Sequence, residues 1–310
     1  MISVIVPMYN RLSYIRPCIE SILRQTYKDI EVLCVMDGYS NEIDAILQDI
    51  QTNDKRIRIE CIDHQGAAAA RNHGINKSRG ELIAFCDSDD LLPINAYEIM
   101  VNEIVLNDVD VVIGDYLEIF DSGKKDRFNT PKDEVDDFNP FLESVTVWNR
   151  LFKKEFILKN NLSFDTRYYG DDRIFCADAF LANPRIKVIN EIVYLWLRHE
   201  NDIDASITHY VSEKKFYNDI SMWNCFIDKF PLKWHEKLNE HMRYSFIYIT
   251  SIFDNIEVGN KINDVFLEFK KLVLKVDWEN NNELFFRIFK TTIEGFKAFS
   301  SYQEYIELRR

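Results

Sequence analysis

The N-terminal part of the chain alternates short apolar runs with stretches of helical periodicity. The apolar runs cover residues 3–9, 30–36, 56–62, 81–86 and 109–116. Between them, hydrophobic residues recur at helical spacing over 12–25, near 40–51, over 67–77 and from about Pro93 onward. Strands that are apolar throughout and separated by helices are typical of βαβ units. The pattern therefore predicts an α/β fold with a mostly parallel sheet flanked by helices.

Further along the chain this alternation ends. Residues 121–139 are polar, which predicts an exposed loop or flap, and residues 140–200 return to short helices and strands. From residue 210 the sequence becomes helical and aromatic, with few turn signals. We therefore predict one domain over residues 1–209 and a helical C-terminal region over 210–310.

Charge separates the same two regions. The chain of 310 residues carries a net charge of −13, whereas residues 211–310 hold 15 Lys+Arg and 15 Asp+Glu. The whole negative excess thus lies in the first 210 residues. An acidic protein of this kind is not a general nucleic-acid binder, because such binding needs a basic surface. An acidic domain is compatible with a function that uses a bound divalent cation.

The cysteines and the N-terminus bear on the compartment. The six cysteines have no CxxC or CxxH spacing, which argues against a zinc site or redox pair and favours buried, reduced thiols. "MISVIVPMYN" has no basic segment and no cleavage site, and it reads as a first strand. No apolar run approaches the ~18 to 20 residues that span a bilayer. These features predict a cytoplasmic protein.

Three polar loops follow predicted strands: "PMYN", "MDGYS" and "CDSDD". Ligands of parallel α/β sheets bind at the carboxyl ends of the strands, so we expect these loops to converge at one edge. Asp87 and Asp89 form an Asp-x-Asp pair, a source of oxygen ligands for Mg²⁺ or Mn²⁺. The alternative is that the cluster caps a helix, since Asp90 precedes one.

Three further positions have both a chemical and a structural interpretation. Asp37 can accept the imide N–H of a uracil ring, or it can be a turn residue before Gly38. Arg71, at the start of a helix of small residues, can pair with a base carbonyl or a phosphate, or form a structural ion pair. In "GDDRIF", Asp172 with Asp171 can supply the carboxylate base that activates a hydroxyl, or the pair can cap a helix.

Six stretches occur in an order that is specific to one family. They are "SVIVPMYN", "SILRQTYKDIEVLCVMDGYS", "GAAAARNHGINKSRGELIAFCDSDD", "VWNRLFKKEFI", "GDDRIF" and "IVYLWLRHENDIDASIT". Together they resemble the bacterial, inverting, non-processive family 2 glycosyltransferases with the GT-A fold. The resemblance implies a nucleotide-binding half over 1–115 and an acceptor-binding half over 116–209.

The resemblance also implies a reaction and a set of site residues. It implies inverting, metal-dependent transfer from a nucleotide sugar, a UDP-sugar above all, to a saccharide or lipid-linked saccharide acceptor in surface polysaccharide synthesis, such as lipopolysaccharide or capsule. Asp172 would be the general base, and Asp89 and His199 would ligate Mn²⁺ or Mg²⁺, with Arg198 and His209 as rivals of His199. The donor would be bound by Pro7, Tyr9, Asp37, Arg71, Asp87 and Ser88. The acceptor would be bound by Trp148, Tyr169 and Asp171.

The chain departs from the family pattern at three positions. Met36 stands where the family usually has the first Asp of a pair, Tyr39 where it has a small residue, and Asp171 where it has Glu. Asp37 and Asp172 match the pattern, so the departures concern the preference for the donor base more than the reaction.

Two other functions are compatible with parts of the sequence. A nucleotidyltransferase that makes nucleotide sugars also uses metal-binding acids, but it needs a glycine-rich, lysine-containing phosphate loop that "PMYNRLSY" lacks. A sugar-nucleotide-binding module that has lost its chemistry is the other alternative. The presence of Asp37, Asp87, Asp89 and Asp172 argues against it.

The C-terminal region has two interpretations. In "FLEFKKLVLKVDW" (266–278), three lysines stand beside apolar residues. Such a helix can lie in a membrane interface, which predicts peripheral contact with the inner face of the cell membrane. Alternatively, it is an amphipathic helix that packs on the catalytic domain or on a second subunit of an oligomer.

Overall fold

A computed structural model of the chain describes residues 1–131, 145–199, 213–231, 267 and 269–271. The chain divides into two compact units. The first unit comprises residues 1–166 and 171–208, and the second comprises residues 167–170 and 209–310.

The described part of the first unit contains eight strands and six helices. The strands are β1 Ile2–Met8, β2 Ile30–Asp37, β3 Ile57–Ile62, β4 Leu82–Phe85, β5 Val111–Phe120, β6 Lys125–Phe128, β7 Arg150–Lys153 and β8 Ile186–Arg198. The helices are α1 Leu12–Leu23, α2 Asn41–Asn53, α3 Ala67–Lys77, α4 Ala96–Asn107, α5 Lys154–Lys159 and α6 Asp171–Leu181. The predicted α/β class, with strands and helices alternating over the first 115 residues, is confirmed.

The strands form one sheet in the order β3-β2-β1-β4-β7-β5-β6, with β8 pairing β5. The four N-terminal strands β3, β2, β1 and β4 pair in parallel, as predicted. β7, however, lies between β4 and β5 and is antiparallel to both, and β8 pairs β5 in parallel. The C-terminal half of the sheet is therefore mixed. A four-residue strand such as β7 is too short for its hydrophobic pattern to be recognised in the sequence.

The polar stretch 121–139 is only partly a loop. Residues 125–128 form β6, which pairs antiparallel with β5, and β5 extends to Phe120. On β6 exposed and half-buried side chains alternate, because one face of the hairpin lies against the sheet and the other faces solvent. Residues 132–144 lie outside the described residues.

Helices cover both faces of the parallel strands, as buried strands require. On β1 the even-numbered residues Val4 and Val6 share a core cluster with Ile19 of α1 and Leu47 of α2. On the opposite face, α3 packs against β1 and β2. This two-sided burial explains why β1 and β2 are buried along their whole length and apolar at nearly every position.

Gly74 allows α3 to lie close to β1. A Cβ atom at this position would overlap the side chain of Ile5. We expect Gly74→Ala to lower the free energy of unfolding by about 1–3 kcal/mol, because an added methyl group in a tight interface forces the helix outward. Urea denaturation measures this change. Asn76→Ala, at an exposed position of the same helix, should shift stability by less than about 0.5 kcal/mol and is the control.

The second unit is described mainly through α7, Glu213–Lys229. Trp223 and Phe230 pack on Phe226, with ring centroids 5.4 and 5.1 Å away. The short segment 167–170 joins this helix: the backbone N–H of Tyr169 donates to Asn218 Oδ1 at 2.8 Å. No helix in the described part of the chain is long and apolar enough to cross a bilayer. Most of the C-terminal region that was predicted to be helical, including 272–278 of the basic apolar stretch, lies outside the described residues.

Candidate active site

The carboxyl ends of β1, β2 and β4 lie side by side at one edge of the sheet. These strands are parallel neighbours, so the loops that begin at Tyr9, Asp37 and Asp87 lie together. The predicted convergence is thus confirmed. Pro7 lies on β1, paired with Val35 of β2, and the pairing of β1 with β4 ends earlier, at Ile5. Proline has no N–H to donate to a neighbouring strand. It is tolerated at this position because the pairing with β4 has already ended at Ile5, so no ladder hydrogen bond is lost.

The β1–α1 loop has an uncommon backbone. Asn10 and Arg11 have φ values of 57° and 58°, in the left-handed region that non-glycine residues rarely occupy. Consecutive residues of this kind persist only where the surroundings hold them, which is frequent at functional sites. The result is that Tyr9 stays half-exposed at the sheet edge while Arg11 Nη1 lies 3.3 Å from Asp89 Oδ2. Arg11 was not predicted from the sequence.

Asp37 is buried and holds the end of the β3–α3 loop, where the chain enters α3. Its Oδ1 accepts the backbone N–H of Gln65 at 2.7 Å, and its Oδ2 accepts that of Gly66 at 2.9 Å. These bonds satisfy two backbone donors at the N-terminus of α3, where no donor has a partner within the helix. The structure therefore gives Asp37 a cross-loop role that neither sequence interpretation included. Its contact with a uracil ring stays a prediction.

His64 is a further residue of this edge that the sequence analysis missed. Its Nδ1 lies 2.8 Å from Asp37 Oδ2, and its ring stacks on Tyr9 with centroids 4.3 Å apart and an interplanar angle of 18°. The His64 side chain is 57% exposed. The signal in the sequence was its place in the loop after β3, which a parallel sheet brings next to the loop after β2.

Of the three acids after β4, Asp90 has a structural role, whereas Asp87 contacts Arg71 and Asp89 contacts Arg11. Asp90 is buried: its Oδ2 accepts a hydrogen bond from Tyr194 Oη at 2.8 Å, and its Oδ1 accepts the backbone N–H of Leu197 at 2.8 Å. Tyr194 Oη in turn accepts the backbone N–H of Asp87 at 3.0 Å. Asp90 thus fixes the loop to β8 and does not cap α4, whose N-cap is Asn95.

Arg71 joins the donor side of the edge to the start of α6. Its Nη2 donates to Asp87 Oδ1 at 2.8 Å, its Nη1 donates to Asp171 Oδ2 at 2.8 Å, and Nη1 lies 3.2 Å from Asp172 Oδ1. Burial disfavours a charged guanidinium, but the three carboxylates outweigh it and hold the pKa of Arg71 well above its ordinary value. Arg71 is buried under these acids, so the structure supports the ion-pair interpretation. Contact with a nucleotide stays a prediction.

Asp172 keeps accessible surface despite its buried surroundings. Its side chain is 24% exposed, and it accepts the backbone N–H of Val147. Burial raises the pKa of Asp172 to about 7; Arg71 opposes the rise, and the carboxylates of Asp171 and Asp87 add to it. A carboxylate that titrates near neutral pH is suited to accept a proton from a hydroxyl. Asp171, by contrast, is buried and bonded to Arg71.

Asp89 and His199 form the part of the edge that could hold a cation. Burial and the charge of Asp87 raise the pKa of Asp89, while Arg11 and His199 lower it. His199 Nε2 is 3.4 Å from the backbone carbonyl oxygen of Asp89, and its ring lies on Tyr14. Among the described residues, no group of three or more His, Cys, Asp or Glu side chains is arranged so that it could hold a metal ion by itself. The residues therefore fit a Mg²⁺ or Mn²⁺ ion held by one or two carboxylates and a diphosphate, not a cage made by the protein alone.

The remaining predicted residues are distributed differently. Ser88 is buried within the acidic loop. Trp148 is 7% exposed and stacks on Tyr194, with centroids 4.1 Å apart, in the aromatic core. The structure thus gives Trp148 a packing role, and its contact with an acceptor stays a prediction. Tyr169 is half-exposed in the second unit. Arg198, an alternative to His199 as a ligand, forms an ion pair with Glu118, with Nη1 3.6 Å from Oε2. His209, the other alternative, lies outside the described residues.

A comparison with models of known protein families decides what kind of protein carries this site. The model for glycosyl transferase family 2 matches residues 3–169, more than half of the chain. The chain belongs to glycosyl transferase family 2. The family was predicted from the order of the sequence motifs, and this prediction is confirmed.

Individual relatives in this family are bacterial. The chain is 31% identical over 215 residues to EpsJ, an uncharacterized glycosyltransferase of Bacillus subtilis (strain 168), a match that covers 66% of this chain and 62% of EpsJ. It is 29% identical over 211 residues to the glycosyltransferase GlyA of Streptococcus pneumoniae serotype 4, covering 63% of this chain and 30% of GlyA. The chain thus spans less than two thirds of the length of either relative.

The likeness to a solved structure shows the fold. The crystal structure of S. aureus TarS 1–349 in complex with UDP-GlcNAc matches with a TM-score of 0.79 over 98% of this chain and 89% of that one, at 19% identity. At this identity the likeness establishes the GT-A fold, as predicted, and nothing of the substrate. In this family 2 chain, the fold brings together at one edge a stacked aromatic pair, an Asp-x-Asp loop and a carboxylate with a raised pKa.

Proposed function

We propose that the protein is an inverting, metal-dependent glycosyltransferase that moves a sugar from a UDP-sugar to a hydroxyl of a saccharide acceptor, lipid-linked or free, in the synthesis of a bacterial surface polysaccharide. The observation that carries the proposal is the Arg71 cluster. One guanidinium holds Asp87 of the loop after β4 and Asp172, whose pKa is about 7. This contact supports Asp172 as the base for the acceptor, close to the loop proposed for the donor. The TarS structures with UDP-GlcNAc and with UDP support the choice of donor class.

On the donor side, each proposed role matches the chemistry of a side chain. The ring of Tyr9 can stack on a nucleobase, and Asp37 can accept an imide N–H. Asp87, which is a third exposed, can accept hydrogen bonds from ribose hydroxyl groups. Pro7 and Ser88 shape the backbone around this site.

Asp89 would ligate Mn²⁺ or Mg²⁺, with His199 as an additional ligand. When bound, such an ion supplies counter-charge to the departing diphosphate. The protein itself contributes the rigid loop: the bonds of Asp90 to Tyr194 and Leu197 keep Asp89 at the edge of the sheet.

Transfer then requires a proton acceptor on the other side of the sugar. The acceptor hydroxyl oxygen forms a bond to the anomeric carbon, its proton passes to Asp172, and the bond between the anomeric carbon and the diphosphate oxygen breaks. One displacement by one nucleophile inverts the anomeric centre. Arg71 holds Asp172 in place for this step and stabilises its ionised form.

Activity should depend on pH through Asp172. The base works only when it is deprotonated, so a raised pKa means that activity is present above about pH 7 and is lost as the pH falls through this value. We expect the rate of UDP release to fall about tenfold for each pH unit below about pH 7. A pH profile between about 5 and 9 measures it. In an Asp172→Asn variant this fall in rate at low pH should be absent.

The direct test is a screen of UDP-sugars for release of UDP in the presence of Mn²⁺. Release from one or a few UDP-sugars, abolished by EDTA, supports the proposal and identifies the donor. Formation of a nucleotide sugar from a sugar phosphate and UTP, with pyrophosphate as the second product, would instead indicate a nucleotidyltransferase. Tight UDP-sugar binding without turnover towards any acceptor would indicate a binding module.

A further inference from the structure

The imidazole of His64 makes two contacts at the proposed base site. Its Nδ1 lies 2.8 Å from Asp37 Oδ2, and its ring stacks on Tyr9 at 4.3 Å and 18°. Nδ1 also lies 3.2 Å from the backbone carbonyl oxygen of Asp37. Both oxygens of Asp37 that face Nδ1 only accept hydrogen bonds, so Nδ1 carries the proton and donates it to Asp37. These are the same two contacts that the proposed function gives to the nucleobase: a planar ring on Tyr9 and a ring N–H on Asp37.

We infer that His64 occupies the nucleobase position in the free protein, so that a nucleotide binds only when its base displaces this side chain. The inference rests on the proposed function, because it takes the Tyr9–Asp37 site to be the base site. A uracil ring meets both requirements, since it is planar and its N3–H can donate to Asp37. A cytosine ring has an acceptor at N3, so it lacks the ring N–H that would replace the lost hydrogen bond in the same way.

The position of His64 makes the displacement feasible. The side chain is 57% exposed, and the structure records only two kinds of partner for it, Asp37 and the Tyr9 ring, among the described residues. Asp37 would keep its bonds to the backbone N–H groups of Gln65 and Gly66 after His64 leaves. The loop therefore keeps its conformation, and only the rotamer of one surface side chain changes.

Competition of this kind lowers the apparent affinity without changing the contacts in the complex. The apparent dissociation constant is the intrinsic constant divided by the fraction of protein with an open site. If His64 covers the site for about nine tenths of the time, nucleotide affinity is reduced about tenfold. His64 would thus set the concentration range in which the donor binds, whereas Tyr9 and Asp37 would select its base.

Calorimetric titration of UDP with Mn²⁺ tests the inference on the full-length protein and two variants. We expect His64→Ala to lower the Kd for UDP by about 3- to 30-fold. His73→Ala on α3, which removes an imidazole that pairs with Glu60 of β3, should leave this Kd unchanged. Pyrophosphate with Mn²⁺ has no base, so its Kd should be the same for the wild type and His64→Ala. Equal melting temperatures would show that the variants keep the fold.

Three results would overturn the inference. An unchanged Kd for UDP in His64→Ala would mean that His64 does not cover the site, and a weaker Kd would mean that it contacts the bound base. An equal gain for pyrophosphate would place the effect at the diphosphate. In each of these cases UDP still binds the wild type, so the proposed function stands. If neither the wild type nor the variants bind UDP, the nucleotide site itself is wrong and both proposals fail together.

Discussion

Replacement of Asp172 by Asn is expected to lower the rate of UDP release by about 10²–10⁴ while the Kd for UDP with Mn²⁺ stays near the wild-type value. The amide has nearly the shape of the carboxylate but cannot accept the proton of the attacking hydroxyl. Arg71 contacts two other acids, Asp87 and Asp171, so the cluster keeps most of its structure in the variant. Initial rates with the donor found in the screen, together with calorimetric titration of UDP, separate the two effects.

The control for this variant is Asp178→Asn on the same helix. It makes the same chemical change nearly two turns from Asp172 and should leave the rate unchanged. Loss of UDP binding together with activity in Asp172→Asn would place Asp172 in the nucleotide site and contradict its role on the acceptor side. A rate near the wild-type value would remove it from the mechanism.

The part of the fold that could be predicted is the part in which strands are buried on both faces. β1 and β2 are apolar at nearly every position because helices cover both sides of them. Each strand can therefore be recognised in the sequence as an apolar run. Once the strands are parallel, the loops that follow them must meet at one edge. The loops at Tyr9, Asp37 and Asp87 could therefore be placed together without a structure.

The C-terminal half of the sheet could not be predicted in this way. β7 has four residues and its partners lie far away in the sequence, so no local periodicity identifies it. β6 carries three charged residues on a hairpin that is only half-covered, and a charged stretch of this kind resembles a loop. In both strands, tertiary pairing outweighs the local pattern.

The individual acids of the site show a similar limit. The sequence identifies which carboxylates lie at the edge, but their partners are distant: Asp171 is 100 residues from Arg71, and Asp90 bonds to Tyr194. The role of a carboxylate depends on its partner, so a helix cap stayed open as an alternative for Asp90, which in the structure anchors the loop. Trp148 was assigned to the acceptor from its motif, and its burial could be known only from the packing around it.

Asp89→Ala is expected to have the second large effect: UDP release should fall by at least about 10², and the dependence of UDP affinity on Mn²⁺ should disappear. The diphosphate of the donor is negative, and the acidic loop in front of it is negative as well. Without the carboxylate that would hold a cation there, the protein loses the means to compensate this charge. Burial and Asp87 already raise the pKa of Asp89, which means that the fold disfavours its ionised form. Its removal should therefore not unfold the protein.

The diagnostic measurement for Asp89→Ala is the Mn²⁺ dependence of the Kd for UDP, not the Kd alone. Arg11 lies 3.3 Å from Asp89 in the wild type and loses this partner in the variant, so it can attract the diphosphate by itself. Affinity without metal can consequently rise while the effect of Mn²⁺ vanishes. Asp63→Ala removes the same charge from an exposed position just after β3, at the same edge, and should keep both activity and the response to Mn²⁺. Wild-type turnover with an undiminished response to Mn²⁺ in Asp89→Ala would show that the ion, if the reaction uses one, is held elsewhere.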